Sequence, residues 1–177
     1  REGGIETMLT YRNLLEEALE SWTDARQGLI DEVRNIPVKA FDFRPTPEVR
    51  SVTELVVHIL EVAMMMTGEL TRGDTDFHRL PWPRLLRLHA AAAYRAKTRA
   101  DLVRLLKSQF KEAEKKFLAA GELHMLQMIK RFDGQRGTRL AWLYHGIAHE
   151  EYHRGQLTVY ERLLGIEPAL TRNIRGG

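Results

Sequence analysis

Three of the seven histidines of this chain fall at four-residue spacing in the run His145-Gly146-Ile147-Ala148-His149-Glu150-Glu151-Tyr152-His153-Arg154-Gly155-Gln156-Leu157. A fourth, His58, lies far upstream inside the apolar segment Leu55-Val56-Val57-His58-Ile59-Leu60. On a helix, residues four apart lie one above the other on nearly the same face. Each such step rises about 6 Å and turns about 40° past a full revolution. His149 and His153 can therefore reach one ion, with His145 rotated or raised away from it. His58 is the candidate third ligand, since an unpaired imidazole in an apolar stretch is costly and coordination through one nitrogen relieves that cost. Three neutral imidazoles would leave a divalent ion its full charge and at least one open position. Such an ion lowers the pKa of bound water or thiol, or polarises a carbonyl.

The same residues admit a plainer reading. A His-x3-His pair on a helix is common, and histidine also serves as an ordinary polar core residue. The combination of a spaced pair with a buried histidine on a second core helix favours the metal. A ligating imidazole usually donates its other N–H to an acceptor; Glu54 and Glu61 flank His58 and Gln156 follows His153, although surface solvation or an interhelical hydrogen bond is the alternative for all three and the preferred reading of the two glutamates. Tyr152 and His145 are candidate proton shuttles. Glu150 and Arg154 are expected to form an outward i, i+4 pair. His78, His89 and His124 receive no role. Met64-Met65-Met66 reads as core filling or groove lining, and Arg95, Lys97, Arg99 and Arg104 as a solvated face.

Four long amphipathic helices are needed to position these groups. The first is expected from about Thr10 to Ile36, where Leu15, Trp22 and Leu29 recur every seven residues and Pro37 stops the pattern. Ser51 and Glu54 form a capping box that opens the second, which fades near Thr71–Asp74. Residues 77–93 hold Pro81 and Pro83 and predict a short helix; Trp82, Leu85, Leu86 and Leu88 there can cover the bundle's end or face a partner. Thr98 with Asp101 opens the third long helix, which Gly121 closes. Residues 122–132 are ambiguous, 133–137 form a loop, and Thr138 caps a fourth helix running to about Leu164, stopped by Gly165 and Pro168. No run alternates well enough to predict a strand. The expected fold is all-α, a four-helix bundle with a long connection between the second and third helices.

The bulk numbers narrow the function. The 177 residues fit one domain over 1–177. Residues 1–7 read as an expression remnant or an upstream extension, with Met8 a natural start. Against 24 acidic residues stand 27 basic ones, a net charge of only +3, without the concentrated basic stripe of a nucleic-acid binder. The chain has no cysteine, which excludes disulfides, a thiolate nucleophile and cysteine-ligated metal and fits a cytoplasmic protein. No apolar run reaches the roughly 20 residues of a membrane span, and no signal peptide is evident.

The stretch His149-Glu150-Glu151-Tyr152-His153-Arg154-Gly155-Gln156-Leu157, followed by Leu163-Leu164-Gly165-Ile166-Glu167-Pro168, resembles the closing helix of the DinB/YfiT-like metalloproteins, whose pattern is a His-x3-His with Arg-Gly-Gln behind it. Residues 51–59 resemble that family's second helix, which carries one histidine. The resemblance implies a four-helix bundle with one long crossover, frequently dimeric, that holds a divalent metal, often nickel or zinc. It assigns the ligands to His58, His149 and His153 and gives His145 none. It implies a metal-dependent enzyme acting on a small molecule, either a transferase using a low-molecular-weight thiol or a hydrolase. The alternative is a non-catalytic, metal-binding dimeric bundle in stress response. With no cysteine in the chain, any thiolate must come from a cosubstrate.

Overall fold

The computed structural model describes residues 13–176; the expected helix start near Thr10 and the segment 1–7 lie outside them. In chain order the elements are α1 (Leu14–Asn35), α2 (Val52–Leu70), α3 (Trp82–His89), α4 (Ala91–Arg95), α5 (Arg99–Ala120), α6 (Glu122–Met125), β1 (Met128–Lys130), β2 (Arg136–Thr138), α7 (Arg139–Leu163) and α8 (Ala169–Gly176). The long helices α1, α2, α5 and α7 form the expected all-α bundle, with α7 packed on α1 and α2, and α5 on the same two helices.

The predicted caps set the boundaries. Ser51 accepts from the Glu54 amide while the Glu54 carboxylate accepts from the Ser51 amide, and Thr98 and Asp101 repeat the arrangement at α5. Each reciprocal pair satisfies two amides that the first helical turn leaves without partners. Thr138 caps α7 by accepting from the Ala141 amide. Gly121 ends α5 at φ 79°, a conformation that a Cβ would disfavour.

The connection from α2 to α5 is the expected long one. It carries a turn of 3-10 helix at Phe77–Arg79, then α3 and α4. Its apolar residues divide: Leu85 is buried, Trp82 and Leu86 pack half-buried against the core, and Leu88 is exposed. Buried Glu69 at the end of α2 holds this connection by accepting from Arg79 (2.6 Å) and pairing with His89 (2.7 Å).

A second excursion departs from expectation. Met128–Lys130 and Arg136–Thr138 pair as an antiparallel hairpin, with Ile129 opposite Gly137. The Lys130 amide donates to the Thr75 carbonyl (2.8 Å), tying the hairpin to the α2–α5 connection. Three residues are too few for alternation to register as a pattern, and only Ile129 of β1 is buried.

Two apolar clusters fill the bundle. One centres on Leu15, Trp22, Phe117 and Leu143, the other on Leu29, Ile59, Leu102 and Leu157. A buried polar layer separates them. Arg26 of α1 makes two hydrogen bonds to Glu150 of α7 (2.6 and 2.8 Å) and donates to Gln109 of α5 (2.7 Å) and the Leu106 carbonyl. Trp22 Nε1 donates to the same Glu150 (3.0 Å). Glu150 is thus not paired outward with Arg154, which instead bonds Glu151 (3.0 Å). Met65 and Met66 are buried in the core, as their side chains suggest, and Arg95, Lys97 and Arg104 are exposed. Arg99 has a more specific position than a solvated face, donating to the Ile36 carbonyl at the end of α1 (3.2 Å). Among the described residues no helix is long and apolar enough to cross a membrane.

Candidate metal centre

His58 stands in the middle of α2 and faces α7, where His149 and His153 occupy successive turns. Nε2 of His149 lies 3.2 Å from Nε2 of His58 and 3.1 Å from Nε2 of His153. The three rings meet edge to face, with centroids 4.4–5.1 Å apart. His58 and His149 are half-buried and His153 is buried.

The outer nitrogens show which nitrogens can be ligands. His58 Nδ1 lies 2.8 Å from Glu61 Oε1, and His153 Nδ1 lies 2.8 Å from Gln156 Oε1. A carboxylate and an amide oxygen can only accept, so both Nδ1 atoms carry a proton, which leaves each Nε2, turned inward, as the nitrogen free to offer a lone pair. Both lone pairs face the same atom of His149, which can supply one proton at most. A single cation among the three nitrogens would satisfy all of them. The spacing fits such an ion, since four-coordinate zinc with Zn–N of about 2.0–2.1 Å sets its nitrogens roughly 3.3–3.4 Å apart. The donor set is therefore one that could hold a metal ion.

Burial, and then the nearby charge of His153 and His58, pushes the His149 imidazole down to about 3. Burial likewise lowers His153, partly opposed by its bond to Gln156. Both are therefore neutral near pH 7, the form that binds metal. Burial disfavours the ionised Glu61, but hydrogen bonds from His58 and Tyr94 outweigh it and hold the carboxyl below its ordinary value. The Tyr94 hydroxyl of α4 donates to Glu61 Oε2 (2.5 Å), and burial followed by this bond raises it to about 12.

Of the candidate supporting residues, Gln156 and Glu61 stand behind ligands. Glu54 does not: it caps α2 and pairs with Arg44. Tyr94 was not signalled in the sequence, since it reaches the site from 33 residues beyond Glu61. His145 lies outside the triad, with its ring against Trp142 (4.8 Å). His89 and His124 bond to Glu69 and the Leu70 carbonyl, and His78 is exposed.

Two clefts flank the triad. One, of about 490 Å³, is bordered by His149, His145, Tyr152 and several apolar side chains. The other, of about 610 Å³, is bordered by Arg50, Gln156 and Tyr160. Arg50 is exposed, and its charge reaches His149, His153 and Glu61.

The fold has known counterparts. A DinB-like protein of Bacillus subtilis superposes with a TM-score of 0.63 at 21% identity, covering 84% of this chain and 92% of that one. A DinB-family structure from Exiguobacterium sibiricum gives the same score and identity over 86% and 93%. No curated protein matches the chain. These likenesses show the fold alone, but the DinB family pattern itself matches residues 8–175, and with nearly the whole length covered the chain belongs to the DinB family.

Proposed function

We propose that this protein is a divalent-metal-dependent enzyme acting on a small molecule, with nickel or zinc held by His58, His149 and His153. The observation that carries this reading is the convergence of three Nε2 atoms while two Nδ1 protons are committed to Glu61 and Gln156. A bound ion would supply Lewis acidity, lowering the pKa of a coordinated water or thiol.

The chain's own part is positional. Glu61 and Gln156 hold the ligand rings in one tautomer, and Tyr94 holds Glu61. Arg50, exposed near the triad, favours an anionic group there. The cleft of about 490 Å³ leaves room for a substrate beside His149. This supports turnover over a closed storage site, and it suits a thiol transferase, with the thiolate supplied by a cosubstrate, or a hydrolase. The cysteine-free composition favours a cytoplasmic setting. Exposed Tyr144, Tyr152, Val159 and Leu163 along α7 favour pairing with a second copy, and light scattering measures that directly.

The central experiment is metal content of the purified protein by elemental mass spectrometry, beside a His149→Ala/His153→Ala variant. Near-stoichiometric nickel or zinc that disappears in the variant supports the reading. Absence of metal after incubation with nickel, zinc or manganese salts overturns it.

A further inference from the structure

The cleft beside His149 has an unusual wall for a surface of mixed charge. Trp82 of α3, Phe132 of the hairpin, Trp142 and His145 of α7 form an unbroken series of rings, with successive centroids 4.6, 5.3 and 4.8 Å apart. The Arg131 guanidinium lies 5.2 Å over the Trp142 ring, bracing that wall by a cation–π contact. Opposite, Val62 and Met66 of α2 supply apolar surface, and Ala148 keeps the α7 side low. The polar side chains bordering the cleft are few: His145, His149 and Tyr152, beside the indoles of Trp82 and Trp142 with one N–H each. Its volume of about 490 Å³ lies within the range of small-ligand sites, roughly 300–1,000 Å³.

We infer that this cleft receives an aromatic ring of the substrate and sets the group attached to that ring at the histidine triad. The inference rests on the metal-dependent reading above and adds the substrate class. Flat rings offset-stack or meet edge to face with such walls, which an aliphatic chain of equal area cannot do. A strongly polar substrate would find few hydrogen-bonding partners here and would lose its hydration. His145, standing in the ring series and outside the triad, is the polar contact beside the ring and thus a specificity residue.

The test uses two zinc-binding probes that differ in the ring, benzohydroxamate and acetohydroxamate. Affinities are measured by calorimetry on the zinc-loaded protein, after a separate zinc titration of each variant. Benzohydroxamate is expected to bind at least about tenfold more tightly than acetohydroxamate, with quenching of tryptophan fluorescence. Ala148→Trp, at an exposed helical position, should fill the cleft and bring that ratio down to about twofold or less while zinc affinity is kept. Phe132→Ala, on the exposed hairpin, should lower the ratio independently if the tryptophan disturbs folding. Equal ratios in wild type and in zinc-binding variants would overturn the aromatic cleft and leave the metal centre standing. Failure of the wild type to take up zinc or nickel would overturn both.

Discussion

His58 and Glu61 are joined across one turn of α2 by a 2.8 Å contact between Nδ1 and Oε1, and the other oxygen of Glu61 is held by Tyr94. The contact does more than fill space. It fixes the His58 tautomer and turns the Nε2 lone pair toward α7. Removing such an acceptor behind a ligand typically weakens metal binding roughly 10–100-fold. Glu61→Ala is expected to do so in competition with a chelator of known zinc affinity. Glu61→Gln should fall between, because its amide oxygen can still accept, and Tyr94→Phe should cost least. An Ala variant that binds zinc as tightly as wild type would remove Glu61 from the site's support.

His145 continues the four-residue spacing of the triad and yet packs on Trp142. His145→Ala should therefore leave metal stoichiometry unchanged, whereas His149→Ala should abolish it. Elemental analysis of the two single variants, purified alike, checks the contrast. Metal lost from the His145 variant would mean that the ion sits one turn earlier on α7.

The Arg26–Glu150 pair is fully buried and hydrogen-bonded, with Trp22 and Gln109 completing it. Deleting one partner leaves an uncompensated charge in the core. Arg26→Ala or Glu150→Ala should each cost about 3–5 kcal/mol in urea denaturation. Arg26→Met/Glu150→Leu should lose less than either single variant, since no orphaned charge remains. A double variant as unstable as the sum of the singles would contradict this account.

Glu161 gives a pH dependence of definite sign. Burial, and the negative charge of Glu32, raise its carboxyl from the ordinary 4.5 to about 8, against the opposing hydrogen bond from Asn35. The folded state thus binds more protons than the unfolded chain between those values. The stability Glu161 provides is complete below about pH 4.5 and is lost as pH rises through about 8. Glu32 accepts from the Ala169 and Leu170 amides at the start of α8, so the repulsion falls where that helix is anchored. Glu161→Gln should flatten the decline in stability between about pH 4.5 and pH 8. An unchanged decline would show that another group causes it.

The sequence exposes the triad because both halves of its signal are local: the i, i+4 pair on one helix, and a histidine flanked by aliphatic residues on another. The capping residues at Ser51, Thr98 and Thr138 are legible for the same reason. Glu150 shows where charge misleads. It lies three residues after Ile147 and seven after Leu143, squarely on the buried stripe of α7, but an adjacent arginine at i+4 made a solvated pair the simpler reading. Its true partner, Arg26, is 124 positions away. Glu61 likewise reads locally as a surface glutamate, because the donor that distinguishes it, Tyr94, belongs to another helix. The hairpin was hidden by brevity, since its pairing gains support from Thr75 and no local periodicity announces it.

The two sides of the aromatic cleft come from different kinds of chain. The histidines belong to α2 and α7, whose mutual packing is constrained by the whole core. Trp82 and Phe132 belong to connections, where replacements and length changes disturb the bundle least. Lineages sharing this scaffold can therefore alter the shape a ligand meets without moving the ligating nitrogens, so that selectivity drifts while reactivity is inherited.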